Sequence, residues 1–98
     1  MTKQSIAIYI LSNKKNGTLY VGVTSDLVKR IWQHKNNVAS GFASKYKCKS
    51  LVYYELYDDI ENAILREKKI KGGSRKKKID LIEGLNPNWN DLYKGIVQ

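Results

Sequence analysis

Three short segments of the chain are rich in β-branched and aromatic residues. They cover residues 6–12, 19–23 and 51–57, and this composition is typical of β-strands. The dipeptide Asn16-Gly17 lies between the first two segments, and both residues accept the positive φ angles of a tight turn. The pattern therefore predicts a β-hairpin, with the third strand in the same sheet.

A two-residue turn at this dipeptide would set the pairing of the hairpin. It would place Asn13 opposite Tyr20 and Leu11 opposite Gly22. Because successive side chains of a strand point to opposite faces, Tyr9 and Tyr20 are then expected on one face of the sheet, with Gly22 beside them.

Helical spacing of apolar residues follows the hairpin. Residues 24–26 (Thr-Ser-Asp) can cap a helix that carries Leu27, Val28 and Ile31 on one side and ends near Asn36-Asn37. Residues 38–49 have no clear period and contain lysine and aromatic residues. We expect a long loop there, of the kind that is often functional in compact domains.

Two further helices are expected after the third strand. Asp58, followed three residues later by Glu61, resembles a capping box, and Gly72-Gly73 can end the helix that it opens. Ser74 can cap the next helix, which Asn86-Pro87 would terminate. The order ββαβαα predicts an α+β fold, with a small three-stranded antiparallel sheet flanked by helices.

Composition narrows the class of protein. The chain has 98 residues, 42% of them hydrophobic and 28% charged, which is typical of one folded domain over residues 1–98 rather than a disordered chain. Eighteen basic residues against nine acidic ones give a net charge of +9. This excess indicates a polyanionic partner, such as DNA, RNA, the ribosome or anionic lipid.

Cysteine and hydropathy indicate the compartment. The single cysteine, Cys48, cannot form an internal disulfide, which favours the reducing cytoplasm. The apolar run at residues 6–11 is too short for a membrane span or a secretion signal, so we expect neither secretion nor a membrane-spanning segment. With one histidine and one cysteine, a Cys/His zinc site is excluded.

Basic residues concentrate between positions 66 and 78. They are Arg66, Lys68, Lys69, Lys71, Arg75, Lys76, Lys77 and Lys78. Such a run is often only a solvated surface, but charge of one sign at this density favours contacts with a phosphate backbone. Lys68, Lys71, Arg75, Lys76, Lys77 and Lys78 are the predicted nucleic-acid contacts.

Three side chains stand out as candidates for chemistry. Helical spacing places Glu67 on the stripe expected to face the core, together with Ile60, Ala63, Ile64 and Ile70. A carboxylate there requires an ion pair, a metal ion or a helix end turned toward solvent. Arg30 and His34 are four residues apart and therefore share one helix face; a guanidinium suits phosphate, and a neutral imidazole can relay a proton.

The chain resembles the GIY-YIG nuclease superfamily over nearly its whole length. The resemblance rests on Ala7-Ile8-Tyr9 and Tyr20-Val21-Gly22, then on Arg30 and His34, with Glu67 and Asn86 later in the chain. It is strongest with small stand-alone bacterial members. Ala7 replaces the first glycine of the motif and Val21 replaces its isoleucine, and neither change removes a chemical group.

The resemblance implies an endonuclease that hydrolyses DNA phosphodiester bonds with Mg²⁺ or Mn²⁺, including structured or repair-intermediate DNA. Glu67 would hold the ion, Arg30 would neutralise charge in the transition state, and Tyr9 or Tyr20 would accept a proton from water. His34 would pass that proton on or contact phosphate, and Asn86 would support the architecture or the edge of the site. The alternative is a non-catalytic module that binds nucleic acid through the same basic surface.

Overall fold

The computed structural model describes residues 5–38 and 41–97. Its strands are β1 (Ile6–Ser12), β2 (Leu19–Thr24) and β3 (Ser50–Tyr57), and its helices are α1 (Leu27–Lys35), α2 (Phe42–Lys45), α3 (Ile60–Gly72), α4 (Arg75–Leu85) and α5 (Tyr93–Ile96). The strands form one antiparallel sheet in the order β2-β1-β3. The predicted α+β class with a three-stranded antiparallel sheet is confirmed.

Strand β1 is the centre of the molecule, because its side chains are buried on both faces of the sheet. Tyr9 and Leu11 pack with α1 and α2, on what we call the α1 face. Ile8 and Ile10 pack with α3 and α4, on what we call the α3 face. The alternation of side chains along one apolar strand thus builds two separate cores.

The hairpin register differs from the predicted one by two residues. Leu11 pairs with Tyr20, and Tyr9 pairs with Gly22, so the predicted pairs Asn13–Tyr20 and Leu11–Gly22 are wrong. The Asn13 side chain accepts the Thr18 N–H at 2.9 Å, which ends the ladder before the turn. Because the shift is even, every side chain keeps its face, and Tyr9 and Tyr20 still share the α1 face.

The turn itself is also longer than predicted. The Gly17 N–H donates to the Lys14 carbonyl at 2.9 Å, and Asn16 alone takes a positive φ of 58°. A Cβ on Gly17 would lie 2.0 Å from Asn13 Oδ1. The turn therefore requires glycine at position 17 because there is no space for a side chain there. Asn16 is the residue of the turn that adopts the left-handed backbone conformation.

Two short helices were not predicted. α2 lies inside residues 38–49, which were expected to form a loop, and α5 follows the last predicted helix. Residues 39 and 40 of that segment lie outside the described part of the chain. Ala43 of α2 is buried in the core of the α1 face, and this tertiary contact stabilises a helix that is too short to form from propensity alone.

Helix α3 begins one residue later than predicted and buries a narrower stripe. Its N-cap is Asp59, whose carboxylate accepts the Glu61 N–H at 3.0 Å, so the assignment of the cap to Asp58 is wrong. Ile60 and Ile64, expected on the buried side, are exposed. A helix resting on a sheet buries a narrow strip, here Ala63, Glu67 and Ile70.

The other predicted helix boundaries are confirmed. Asp26 caps α1 by accepting the Lys29 N–H, and Ser74 caps α4 by accepting the Lys77 N–H. α1 ends at Asn36 and α4 at Asn86. Within residues 5–38 and 41–97, no helix has the length and apolar character that crossing a membrane requires.

Candidate active site

The sheet brings two tyrosines and the histidine together on the α1 face. Leu11 and Tyr20 are opposite each other across the β1–β2 pair, and Tyr9 is two residues from Leu11 on that face. His34 lies on the third turn of α1, above these strands. The ring centroids are 6.2 Å apart for Tyr9–Tyr20, 5.9 Å for Tyr9–His34 and 5.7 Å for Tyr20–His34. We call this set the tyrosine–histidine cluster.

One hydrogen bond fixes the buried side of the cluster. It joins the Tyr9 hydroxyl and His34 Nε2 at 3.2 Å, and the tautomer of the imidazole decides which group donates. Tyr9 has no exposed surface and His34 is 6% exposed. Tyr20 is only partly buried, so it is the member of the cluster that solvent and a substrate can reach.

Arg30 connects the cluster to an open groove. It lies one turn before His34 on α1 and is half-buried, and its guanidinium acts electrostatically on both Tyr9 and His34. It also lines a polar groove of about 320 Å³ at the start of α1. The groove is lined by Thr24, Ser25, Asp26, Lys29, Arg30 and Gln33. Arg30 is therefore accessible to a phosphate that enters this groove.

Burial keeps the two inner groups uncharged. Burial, reinforced by the neighbouring Tyr20, raises the pKa of Tyr9 to about 12, although Arg30 opposes the shift. Burial and the nearby Arg30 cation both lower the pKa of His34 below the ordinary value of an imidazole. At neutral pH the Tyr9–His34 pair is therefore a neutral, hydrogen-bonded support.

Gly22 makes the position of Tyr9 possible. A Cβ at this position would lie 2.5 Å from both Cζ and Oη of Tyr9, closer than any van der Waals contact allows. The Tyr9 ring therefore crosses the backbone of β2 where a side chain is missing. This contact gives the glycine of the second motif segment a physical role.

Glu67 lies in the other layer of the molecule, on the opposite side of the sheet from the tyrosine–histidine cluster. It lies between Ala63 and Ile70, which pack in the core of the α3 face, and it is 9% exposed. Its described partner is the Lys71 ammonium, 2.6 Å from Oε2. Of the alternatives that the sequence left open, the structure thus contains an ion pair.

The flank of α3 that carries Lys68 and Lys71 lies on the β2 side of the sheet. Arg66, Lys69 and Ile70 line a groove shared with α4, and α4 packs on β3 whereas α3 packs mainly on β1 and β2. With about 3.6 residues per turn, Lys68 and Lys71 fall on the flank away from α4. That flank points beyond β2, the edge strand that carries Tyr20.

The donor set near Glu67 decides which cation it could bind. In the described part of the chain, no three His, Cys, Asp or Glu side chains come together. A single carboxylate suits a hydrated Mg²⁺ or Mn²⁺, whose other ligands are water and substrate oxygens. It does not suit an ion that needs a cage of protein ligands.

Most of the chain matches the model of a known protein family. The model of the GIY-YIG catalytic domain matches residues 5–80. The chain belongs to the GIY-YIG family. This is a family of nucleases, and the matched segment contains the tyrosine–histidine cluster, Arg30 and Glu67.

Other small proteins are similar to this GIY-YIG chain over most of their length. A UPF0213 protein of Staphylococcus saprophyticus is 40% identical over 75 residues, which cover 76% of this chain and 90% of that protein. A UPF0213 protein of Staphylococcus aureus is 32% identical over 68 residues, which cover 69% of this chain and 83% of that protein. The solution NMR structure of a UPF0213 protein from Bacillus halodurans is 26% identical in sequence, with a TM-score of 0.56. The match covers 96% of this chain and 99% of that chain.

Asn86 lies beyond the segment that the GIY-YIG model matches. Its side-chain nitrogen donates to the carbonyls of Val52 at 3.1 Å and Asn90 at 2.8 Å, and its oxygen accepts the Asn90 N–H at 3.0 Å. These bonds tie the end of α4 to β3, the edge strand opposite β2. Asn86 is therefore placed across the sheet from Tyr20.

The predicted nucleic-acid contacts are distributed over two flanks of the α3–α4 layer. Lys68 and Lys71 lie on the flank toward β2, and Lys77 and Lys78 line the α3–α4 groove of about 360 Å³. Lys76 pairs with Asp80 at 3.1 Å. The basic run is thus continuous in sequence but does not form one flat surface.

Arg75 and Lys78 also reach the hairpin end of the sheet. Together with Thr18, Leu19 and Phe42 they line a further groove of about 300 Å³. Sequence reasoning did not select Phe42, although the position of this aromatic in a lysine-rich segment was a signal. Its stacking on Tyr20, with centroids 6.3 Å apart, could not be read from the sequence.

Proposed function

We propose that this GIY-YIG protein is a metal-dependent endonuclease that hydrolyses phosphodiester bonds in DNA, including structured or repair-intermediate DNA, in the cytoplasm. The observation that carries the proposal is the tyrosine–histidine cluster with Arg30 opening into a polar groove. A guanidinium beside a reachable phenol is suited to bind a phosphate and to act on the water that attacks it.

Arg30 and Tyr20 have the roles nearest the substrate. Arg30 binds the scissile phosphate and neutralises the charge that builds up on its oxygens in the transition state. Tyr20 orients the attacking water and, in its deprotonated phenolate form, accepts that water's proton. Tyr9 is less suited to this role, because it has no exposed surface and its pKa is raised to about 12.

His34 and Tyr9 are buried beneath Tyr20 and have supporting roles in the reaction. Their hydrogen bond holds the two rings in place beneath Tyr20, and the neutral imidazole can accept a proton that leaves the site. Asn86 acts on the architecture rather than on the phosphate, because its bonds are made to β3.

Glu67 is the residue that would hold Mg²⁺ or Mn²⁺. When bound, such an ion polarises a phosphoryl oxygen and stabilises the oxygen that leaves. Lys71, now paired with the Glu67 carboxylate, has a half-exposed side chain and can turn toward a substrate phosphate. The remaining basic residues of α3 and α4 bind the backbone of DNA, or of RNA, through counterion release.

The test is cleavage of supercoiled, linear, flapped and branched DNA with and without Mg²⁺ or Mn²⁺. We expect metal-dependent cleavage, with losses of about 100-fold or more for Arg30→Ala, Glu67→Gln and Tyr20→Phe. Glu61→Gln is the matched control, because Glu61 is an exposed carboxylate on the same helix.

Binding separates the proposal from its alternative. The three inactive variants should still bind DNA within a few-fold of the wild type. If the wild type binds these substrates but cuts none of them with either metal, the endonuclease proposal is wrong, and the chain is a non-catalytic nucleic-acid-binding module.

A further inference from the structure

An aromatic path leads from the tyrosine–histidine cluster to the surface. Phe42 stacks on Tyr20 with an interplanar angle of 22°, and Tyr46 contacts Phe42 with ring centroids 4.6 Å apart. Phe42 is 49% exposed and Tyr46 is 42% exposed. The ring of Phe42 therefore contacts both Tyr20 and Tyr46 and still keeps substantial surface open to solvent, directly beside the site.

Phe42 also lines a groove that contains two cations in fixed positions. The groove is lined by Thr18, Leu19, Phe42, Arg75 and Lys78. One terminal nitrogen of Arg75 donates to the carbonyls of Asn16 and Gly17 at 2.7 and 2.6 Å. The Lys78 ammonium donates to the carbonyls of Gly73 and Lys71 at 2.9 and 3.3 Å.

These hydrogen bonds hold the cations in place without neutralising them. The four acceptors are backbone carbonyls, which carry no net charge, so both positive charges remain available to an anion. The guanidinium of Arg75 also keeps the N–H groups of its other two nitrogens for a ligand. A flat apolar ring and two positioned cations are the elements that recognise a base and a phosphate of a single strand.

We infer that this groove binds one unpaired nucleotide of the substrate strand, with its base on Phe42 and its phosphate at Arg75 and Lys78. The inference rests on the proposed function, since it takes the substrate to be a nucleic acid. In a duplex each base is covered by its neighbours and paired on its edge, so only an unpaired base can stack on a side chain. Phe42 is then a positioning residue that favours a single-stranded segment next to Tyr20.

Binding of dye-labelled oligonucleotides in EDTA tests this inference without cleavage. We compare a single strand with a duplex of the same length, by fluorescence anisotropy, for the wild type, Phe42→Ala and Phe42→Tyr. Phe42→Ala should weaken binding of the single strand about tenfold and binding of the duplex less than twofold. Phe42→Tyr retains a ring and should restore binding.

Trp32→Ala is the matched control. Trp32 is another aromatic residue with the same 49% exposure, on α1, and its loss should change neither affinity. Phe42→Leu retains apolar contact with Tyr20 but removes the ring, so it serves if the alanine variant does not fold. It should bind the single strand as weakly as Phe42→Ala.

A strand with abasic positions identifies the base as the partner of Phe42. The wild type should bind it about tenfold more weakly than the intact strand, and Phe42→Ala should bind the two equally. An equal effect of Phe42→Ala on single strand and duplex, or no effect on either, overturns the inference.

The outcomes for the two proposals are distinct. If the protein cuts DNA but Phe42 variants bind single strands normally, only the nucleotide-binding groove is wrong. If the groove selects single strands but no metal supports cleavage, only the endonuclease proposal is wrong.

Discussion

At the scale of single residues, the site depends on a missing side chain as much as on the groups that are present. The Tyr9 ring occupies the space above Gly22. A Cβ on residue 22 would lie 2.5 Å from the hydroxyl oxygen of Tyr9. This close approach lets the hydroxyl reach His34 Nε2. The geometry of the tyrosine–histidine cluster therefore depends on the backbone of β2.

Gly22→Ala should disrupt the site and weaken the fold. The new methyl group must displace the Tyr9 ring, which is fully buried, so we expect a loss of about 1–3 kcal/mol in the free energy of unfolding and at least a tenfold loss of cleavage. Urea denaturation and the cleavage assay measure the two effects. Gly84→Ala is the control, because a Cβ there meets nothing within 4 Å and alanine favours the interior of α4; equal effects at both positions would contradict this account.

At the scale of elements, a hydrogen-bonded carboxylate fixes the position of α3. Glu55 on β3 accepts two bonds from Arg66 on α3, both at 3.0 Å. The hydroxyls of Tyr53 and Tyr57 donate to the same carboxylate. Burial alone would raise the pKa of Glu55, but these donors outweigh it and the pKa is lowered.

Glu55→Gln should destabilise the protein more at neutral pH than in acid. Because the pKa of Glu55 is lower in the folded state, its contribution is complete above the unfolded pKa of about 4.3 and disappears as the pH falls through the folded value. We expect a deficit of about 1–3 kcal/mol at pH 7 that shrinks toward pH 3. Urea denaturation at both pH values measures it, and a deficit that stays constant would contradict the assignment.

Asn86 links two other elements, the end of α4 and the strand β3. Asn86→Ala leaves the buried Val52 carbonyl without its side-chain donor, so the free energy of unfolding should fall by about 1–3 kcal/mol. The cleavage rate of the folded variant should stay within about twofold of the wild type, because Asn86 lies across the sheet from Tyr20. A large loss of rate without a loss of stability would instead place Asn86 in the catalytic machinery.

At the scale of the whole molecule, basic side chains that contribute to the net charge of +9 line three separate grooves. Basic side chains line the groove at Arg30, the groove at Phe42 and the groove between α3 and α4. The first two lie at the start of α1 and at the hairpin end of the sheet. Positive charge thus lies near both ends of β2, the strand that carries Tyr20, and also between α3 and α4.

Removing charge from α4 should reduce the salt dependence of DNA binding. The plot of log Kobs against log[NaCl] for duplex DNA has a negative slope. For a variant with alanine at positions 76, 77 and 78, this slope should become less steep by about 0.9 for each lost phosphate contact. Lys94→Ala on α5 is the control and should leave the slope unchanged. An unchanged slope in the triple variant would place the duplex on another surface.

The sequence by itself determined the local features of this protein. Caps at Asp26 and Ser74 and the apolar composition of the strands define elements through neighbouring residues, and these were predictable for that reason. The shared face of Tyr9 and Tyr20 was also predictable, because alternation along a strand survives an even change of register. The motif residues identified the family before their geometry was known.

The tertiary structure decided what depends on distant contacts. The Asn13 side chain set the register of the hairpin, and burial of Ala43 stabilised α2, which in turn placed Phe42 on Tyr20. Arg75 meets the hairpin loop across more than fifty positions of sequence. Such contacts exist only once helices and sheet pack against each other, so local patterns predicted the elements and packing assembled the site.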